Sequence, residues 1–389
     1  MLVIRNAEVY APKYLGKKDI LVAAGKILRM EDTLPSYEGF EEYDATGKIL
    51  IPGIVDRHVH ITGGGGEGSF KTQAPRVELS ALIRGGVTTV VGVLGTDGLS
   101  RSVENLLAKT KSLNEEGITA YCCTGAYGYP CPTITGDVSK DVMFIDEMIG
   151  CKLAVSDHRA PNLSVQELIR LASDVRTAGM LSGKPGIMCL HMGDDKRGLE
   201  PIFKALEETS IPIKTFQPTH VGRNPLLTEH ALKYAKMGGT IDVTCAQLEK
   251  KFKQVAGVLR QVKEQNIPMD KVTISSDGYG SFSNYDAEGN LLNIGVSEVD
   301  TVYRQIKYQV EVEGWTLEEA LPVATCNPAK VLEIYPQKGC VAVGSDADMV
   351  LLEKDLTMDG VIARGKFLMK DKELLAEGTF ENVYKKIYK

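Results

Sequence analysis

The stretch "IVDRHVHITGGGGEG", Ile54 to Gly68, decides how the chain is read. Its first eight residues have the apolar texture of a buried strand. They carry His58 and His60 two positions apart, a spacing that on a strand sends both rings to one face. Four glycines then interrupt the run before an acid, Glu67. Further apolar runs follow: "TTVVGVLG", "ITAYCCTGAY", "GCKLAVSD", "GIMCLHMG", "IKTFQPTHV", "GTIDVT" and "VTISSDG". Amphipathic segments lie between several of them, two opening on capping-box spacings, "SVQE" from Ser164 and "TLEE" from Thr316. Eight strands in β–α alternation over roughly 280 residues predict one (β/α)8 barrel rather than a doubly wound sheet.

The ends of the chain have a different texture. "MLVIRNAEVY", "DILVAAGKILRM" and "GKILIPG" precede the barrel, and "KGCVAVGSDADMVLLE" and "DGVIARGKFLMKDKELL" follow it. Both ends read as short strands, and neither is long enough to bury a core alone. The expected organisation is α/β: a barrel over residues 53–338, with one small β-sandwich assembled from 1–52 and 339–389.

Composition bounds the function. With 43% hydrophobic and 25% charged residues, the 389-residue chain has material for an ordinary globular core. A net charge of −6 gives no basic field, which argues against nucleic acid or an anionic membrane as partner. The N-terminus lacks a signal-peptide run, and no stretch approaches the ~18 apolar residues of a spanning helix. Eight cysteines without C-x-x-C spacing suit reduced thiols and a cytoplasmic location. Cys122, Cys123, Cys151 and Cys189, inside apolar runs, read as small buried hydrophobes.

Of six histidines, His58, His60, His191 and His220 fall at the C-terminal ends of predicted strands 1, 5 and 6, where barrel active sites are built. Convergent imidazoles suit zinc or a similar borderline metal. Lys152 lies inside an apolar strand, where an ammonium is costly to bury; from position alone it is either a functional cation or a lysine snorkelling from the strand end. Asp277 ends strand 8 in "SSDG", where a plain turn aspartate is the other reading.

"PGIVDRHVH", the in-strand Lys152, "HMGDDK", "PTHVGRN" and "SSDG" together resemble the metal-dependent amidohydrolase superfamily. "HVHITGGGGEG", "GVLGTDGLSRS", "LNEEGITAYCCTGAYGYP", "SDHR", "HMGDD" and "PTHVGRN" are similar to isoaspartyl dipeptidases, in order along almost the whole chain. The resemblance implies two Zn2+ per chain, other divalent metals being possible, bridged by hydroxide. His58, His60 and Asp277 would hold one, His191 and His220 the other, and a CO2-derived carbamate on Lys152 would bridge them. A carbamate would also turn the costly buried cation into an anionic ligand. Asp277 would shuttle the proton, and Tyr127 would hydrogen-bond the developing oxyanion. The glycines would bring backbone amides, Gly65 among them, close to substrate and aim Glu67 at its α-ammonium. Arg159 and Arg223 would receive substrate carboxylates, with Thr96 and Ser281 as further polar contacts. His158 and His230 match no ligand position and are read as a residue behind the site and a surface residue.

The expected substrates are β-aspartyl dipeptides, and relatives of this kind form homo-oligomers. The alternatives are a cyclic amidase of the hydantoinase or dihydroorotase kind, which shares metals and carbamate, and a catalytically silent scaffold. The glycine run, Glu67 and "THVGRN" speak against the first, and six filled ligand positions against the second.

Overall fold

The computed structural model describes residues 1–381. The N-terminal segment forms β1 (Leu2–Tyr10), β2 (Tyr14–Ala23), β3 (Lys26–Glu31), β4 (Glu41–Asp44) and β5 (Ile49–Pro52). The break expected at Gly25-Lys26 is a tight turn in which Ala24 and Gly25 both take positive φ, as a two-residue hairpin requires. Eight strands then alternate with helices: β6 (Ile54–Val59), β7 (Val87–Gly92), β8 (Thr119–Gly125), β9 (Met148–Val155), β10 (Ile187–Met192), β11 (Phe216–Thr219), β12 (Ile241–Thr244) and β13 (Val272–Ser275). A hairpin of β14 (Ser281–Tyr285) and β15 (Leu291–Val296) follows β13. The chain ends in β16 (Met349–Leu352), β17 (Met358–Ala363), β18 (Lys366–Lys370) and β19 (Glu373–Leu374).

Strands β6 to β11 pair in parallel and in sequence order, as do β12 and β13. Each is followed by a helix, among them Val103–Glu116, Val165–Ser182, Pro225–Lys236 and Glu249–Glu264. The ring is a (β/α)8 barrel. The capping boxes at Ser164/Glu167 and Thr316/Glu319 are both formed. Main-chain pairing is thin at two seams. Between β11 and β12 a single amide bond runs from Val221 to the Asp242 carbonyl (3.3 Å), and β13 returns to β6 through His60 N–H on the Gly278 carbonyl (2.9 Å).

Polar side chains close those seams. The fully buried Asp242 carboxylate accepts from Thr219, Thr273 and Ser275 hydroxyls at 2.6–2.7 Å and from Arg57 Nε at 3.3 Å, tying β11, β12, β13 and β6 together. Asp56, also fully buried, accepts from the His58 and Ser276 amides across the β6–β13 seam. Buried carboxylates this well supplied with donors stabilise a unique arrangement rather than costing the full desolvation of a charge.

The two ends of the chain meet in one nine-stranded sheet, ordered β19-β18-β17-β16-β5-β1-β2-β3 with β4 beside β1. Val22, Ile27, Leu50, Met349 and Ile362, from strands far apart in that order, share one buried cluster. The small sandwich is therefore a single sheet curled over its own core. Beside it Lys338, 3% exposed, bridges Asp346 (2.8 Å) and Asp348 (2.6 Å). Removing this cation leaves the buried Asp348 without a cationic partner, while Asp346 keeps Lys26. Lys338→Met should cost about 3–5 kcal/mol, against about 1 kcal/mol for loss of the exposed cap in Ser164→Ala. Urea unfolding of both variants checks the ranking, and equal midpoints would contradict it.

Candidate active site

The C-terminal rim gathers the side chains that carry chemistry. His58 lies near the end of β6 and His60 just past it, with ring centroids 5.6 Å apart. His60 Nε2 is 3.0 Å from Asp277 Oδ1, and His58 Nε2 is 3.5 Å from the same oxygen. Ligand atoms of these three residues lie within 4.8 Å of one another. His191, on β10, and His220, just after β11, stack edge-on at 4.6 Å, and His220 lies 5.0 Å from His58. His220 (φ 65°) and Asp277 (φ 51°) are both in the left-handed region, and both sit at the seams where strand pairing stops. Strained backbone of this sort concentrates at functional sites.

Lys152 stands in the middle of this ring of imidazoles. It is fully buried on β9, with Nζ 3.0 Å from His58 Nε2 and 3.9 Å from Cys189 Sγ. Among the described residues no carboxylate lies within 4.0 Å of it; the ion pairs of the rim run through other groups. It does not snorkel, so its cost has to be met by a group that joins it. The donor set of four imidazoles, a carboxylate and a buried amine fits a pair of borderline divalent ions.

His220 and His191 are oriented from behind. His220 Nδ1 is 2.6 Å from Thr244 Oγ1, which leaves Nε2 for the cluster. His191 Nε2 is 2.9 Å from Asp157 Oδ2, while Nδ1 meets the Tyr127 hydroxyl at 2.5 Å. Tyr127 is buried, and burial raises its hydroxyl well above the ordinary tyrosine range, so it remains a proton donor. Asp157 is nearly fully buried. Burial pulls its carboxyl upward, but hydrogen bonds from Arg159 and His191 outweigh that and hold it far below the carboxylate range.

Glu67 forms the other side of the site. Its Oε1 accepts from Ser281 Oγ (2.8 Å), Thr96 Oγ1 (3.1 Å) and Arg159 Nη1 (3.3 Å), so three residues far apart in sequence converge on one oxygen. Its Oε2 is buried with no hydrogen-bond partner among the described residues. Arg159 continues the network to Asp157 through Nε and Nη2, both at 2.9 Å. Arg223 is looser and part-exposed, 3.8 Å from Asp157 and 3.7 Å from Asp194.

The glycine run differs from its sequence reading. Gly63, Gly64 and Gly66 donate their amides inside the protein, to His60, Tyr279 and Thr72 carbonyls, so within the run the Gly65 N–H is left without an acceptor among the described residues. The run is glycine because the chain doubles back: a Cβ on Gly63 would lie 2.2 Å from the Ala74 carbonyl oxygen, and one on Gly65 2.4 Å from that of Thr72. Positive φ at both reinforces the requirement. His230 is also not a surface residue: its Nδ1 accepts the Leu199 amide at 3.1 Å. His158 is exposed, edge-on to Tyr285 and 4.0 Å from Asp157.

Sequence reasoning passed over Asp157, Thr244 and Asp56. Burial, with the Asp242 charge adding to it, outweighs the hydrogen bonds from Ser276 and His58 and raises the Asp56 carboxyl to about 7. Burial likewise holds His58, His191 and His220 well below the ordinary 6.5, with Lys152 adding at His58. In the metal-free protein these imidazoles stay neutral where the unfolded chain protonates, so each loses stability as pH falls below 6.5. Asp56 has the opposite sign: its folded value lies above the ordinary 3.8, so it gains stability as pH falls through that interval. Three groups against one give a net loss of stability as pH falls from 6.5 toward 5. Denaturant unfolding of chelator-treated protein checks this, and a flat or rising profile would contradict it.

The chain matches the model of the amidohydrolase family over residues 198–368. It is similar to the crystal structure of beta-aspartyl dipeptidase from Fervidobacterium islandicum AW-1 in complex with beta-Asp-Leu dipeptide. The identity is 42%, covering 96% of this chain and 98% of that one, with a TM-score of 0.91. More distant relatives are a dihydroorotase of Listeria monocytogenes serotype 4a, 25% identical over 92% of this chain and 91% of that protein, and an L-hydantoinase of Paenarthrobacter aurescens, 24% identical over 91% and 86%. The barrel, the rim and the similarity along nearly the full length agree: the chain belongs to the beta-aspartyl dipeptidases of the amidohydrolase family.

Proposed function

We propose that the chain hydrolyses β-aspartyl dipeptides with two divalent metals, zinc being the preferred candidate. His58, His60 and Asp277 would hold one, His191 and His220 the other, and a carbamate on Lys152 would bridge both. Such a pair supplies a water of lowered pKa and a polarised scissile carbonyl. The observation that carries the substrate reading is Glu67: one oxygen pinned by three donors, the other buried and unpaired. An unpaired buried carboxylate oxygen is costly, and a substrate α-ammonium relieves that cost.

The remaining roles follow from geometry. Asp277 turns Oδ1 to the two histidines, which leaves its other oxygen to take the proton of the attacking water and return it to the leaving amine. The Tyr127 hydroxyl donates toward the carbonyl oxygen as charge develops there. Arg159, Arg223 and the free Gly65 amide receive substrate carboxylate and carbonyl groups, while Thr96 and Ser281 hold Glu67 in place. A β-linkage puts one more carbon between the scissile carbonyl and the ammonium-bearing carbon than an α-linkage does, so both sites cannot be met by the α-isomer. The dihydroorotase and hydantoinase relatives keep a cyclic amidase as the second reading. Its neutral ring nitrogens give Glu67 no ammonium to pair with. All eight cysteines are free thiols, which supports a cytoplasmic place, and we take the working form to be a homo-oligomer. Among the described residues no helix is long and apolar enough to cross a membrane.

Steady-state rates on β-Asp-Leu and its α-linked isomer test the reading. Discrimination of about 10³-fold or more is expected, because a misplaced buried charge costs several kcal/mol. Equal rates, or faster turnover of hydantoins or dihydroorotate, would hand the site to the second reading. Asp277→Asn should lower kcat on the order of 10²-fold or more with little change in KM; a loss confined to KM would move the proton to another group. Lys152→Ala should lose metal and activity together, with partial recovery on adding short carboxylic acids and zinc. Full activity without additives would exclude the bridging role.

A further inference from the structure

We propose that Asp157 is the positioning residue of this site: one buried carboxylate sets both the tautomer of His191 and the orientation of Arg159. The inference rests on the metal-dependent dipeptidase reading above but is decided by observations of its own. Asp157 follows β9, the strand of Lys152, after a turn in which Ser156 takes φ 54° and donates its hydroxyl to the Gly198 carbonyl at 2.7 Å. That turn points the carboxylate back along the rim. Oδ1 accepts from the Arg159 amide (2.8 Å) and Nε (2.9 Å), and Oδ2 from Arg159 Nη2 (2.9 Å) and His191 Nε2 (2.9 Å).

The donor–acceptor inventory then fixes the imidazole. An ionised carboxylate only accepts, so His191 Nε2 must carry the hydrogen. A neutral His191 with hydrogen on Nε2 has its lone pair on Nδ1, and Nδ1 is the atom that meets the Tyr127 hydroxyl. The same carboxylate holds the guanidinium in a bidentate fork, which leaves Arg159 Nη1 for Glu67 Oε1 at 3.3 Å. Metal side and substrate side are thus oriented by one group, and a change at Asp157 disturbs both.

The Asp157 side chain packs directly against Gly193. A Cβ on Gly193, at the end of β10, would lie 2.2–2.5 Å from Asp157 Oδ2, Cβ and Cγ. Gly193 does not have positive φ. It is a glycine because the carboxylate occupies the space of its side chain. This supplies a second probe that moves the carboxylate without removing its charge.

In Asp157→Asn the amide cannot satisfy all four donors: an oxygen at the Oδ1 position keeps the Arg159 amide and Nε, and turns the NH2 toward His191 Nε2 and Arg159 Nη2. Three readouts follow. In chelator-treated protein, nitrogen–proton correlation spectra should show His191 as the Nε2–H tautomer in the parent and shifted toward Nδ1–H in the variant. Zinc titration should show one of two sites weakened by about 10–100-fold, the usual effect of losing a partner behind a ligand, with the other site unchanged. KM for β-Asp-Leu should rise as well, because Arg159 is released. Gly193→Ala should reproduce the split between the zinc sites. A parent His191 in the Nδ1–H form overturns the proposal, as does a variant with both zinc sites at parental affinity. A parent that binds no zinc defeats the metal reading instead, and the tautomer spectra of the metal-free protein then decide the role of Asp157.

Discussion

The arrangement depends on a lysine in the wrong solvent. Lys152 is fully buried in the barrel wall, and its nearest polar neighbour is another base, His58 Nε2 at 3.0 Å. A buried cation is ordinarily paired with an acid, yet the rim acids are engaged elsewhere. Asp277 faces His58 and His60, Asp157 faces His191 and Arg159, and Glu67 faces Arg159, Thr96 and Ser281. Conversion of the amine to a carbamate changes the sign of its charge and makes the surrounding imidazoles natural co-ligands. The positive φ of His220 and Asp277 has the same origin: the chain leaves the strand in order to aim side chains at the place where Lys152 ends.

Around that centre two seams of the barrel are held by carboxylates where its ladder is interrupted. Asp242 spans four strands at one seam and Asp56 spans β6 and β13 at the other, where main-chain pairing gives out. Regular pairing stops where His220 and Asp277 must turn inward, and side-chain hydrogen bonds carry the closure there. The seams are therefore paired with the site itself. A barrel with eight uninterrupted ladders would have no such turns to present these two side chains.

Much of this was legible in the residues. Eight apolar runs of strand length gave the barrel, and histidines at the ends of three of them gave the rim. Lys152 was conspicuous because an ammonium has no business in "GCKLAVSD". The resemblance supplied Glu67, Thr96, Arg159 and Ser281, and the structure brings all four into one network. Asp157, Asp56 and Asp242 escaped because an aspartate's role depends on which donors converge on it in space, and those come from residues up to 220 positions away. The β14–β15 hairpin did have a local signal, "DAEGN" between alternating runs, with Gly289 at φ 85°. The glycine run showed that backbone came close to something, but only the fold shows that the something is chiefly residues 72–75.

The central claim is that Lys152 exists as a carbamate between two metals, and carbon NMR tests it most directly. The metal-loaded protein, equilibrated with 13C-bicarbonate, should show one slowly exchanging carbamate carbon per chain. That signal should be absent from Lys152→Ala and should vanish when chelator removes the metals. A fully active, metal-loaded protein without that signal would contradict the account at its root.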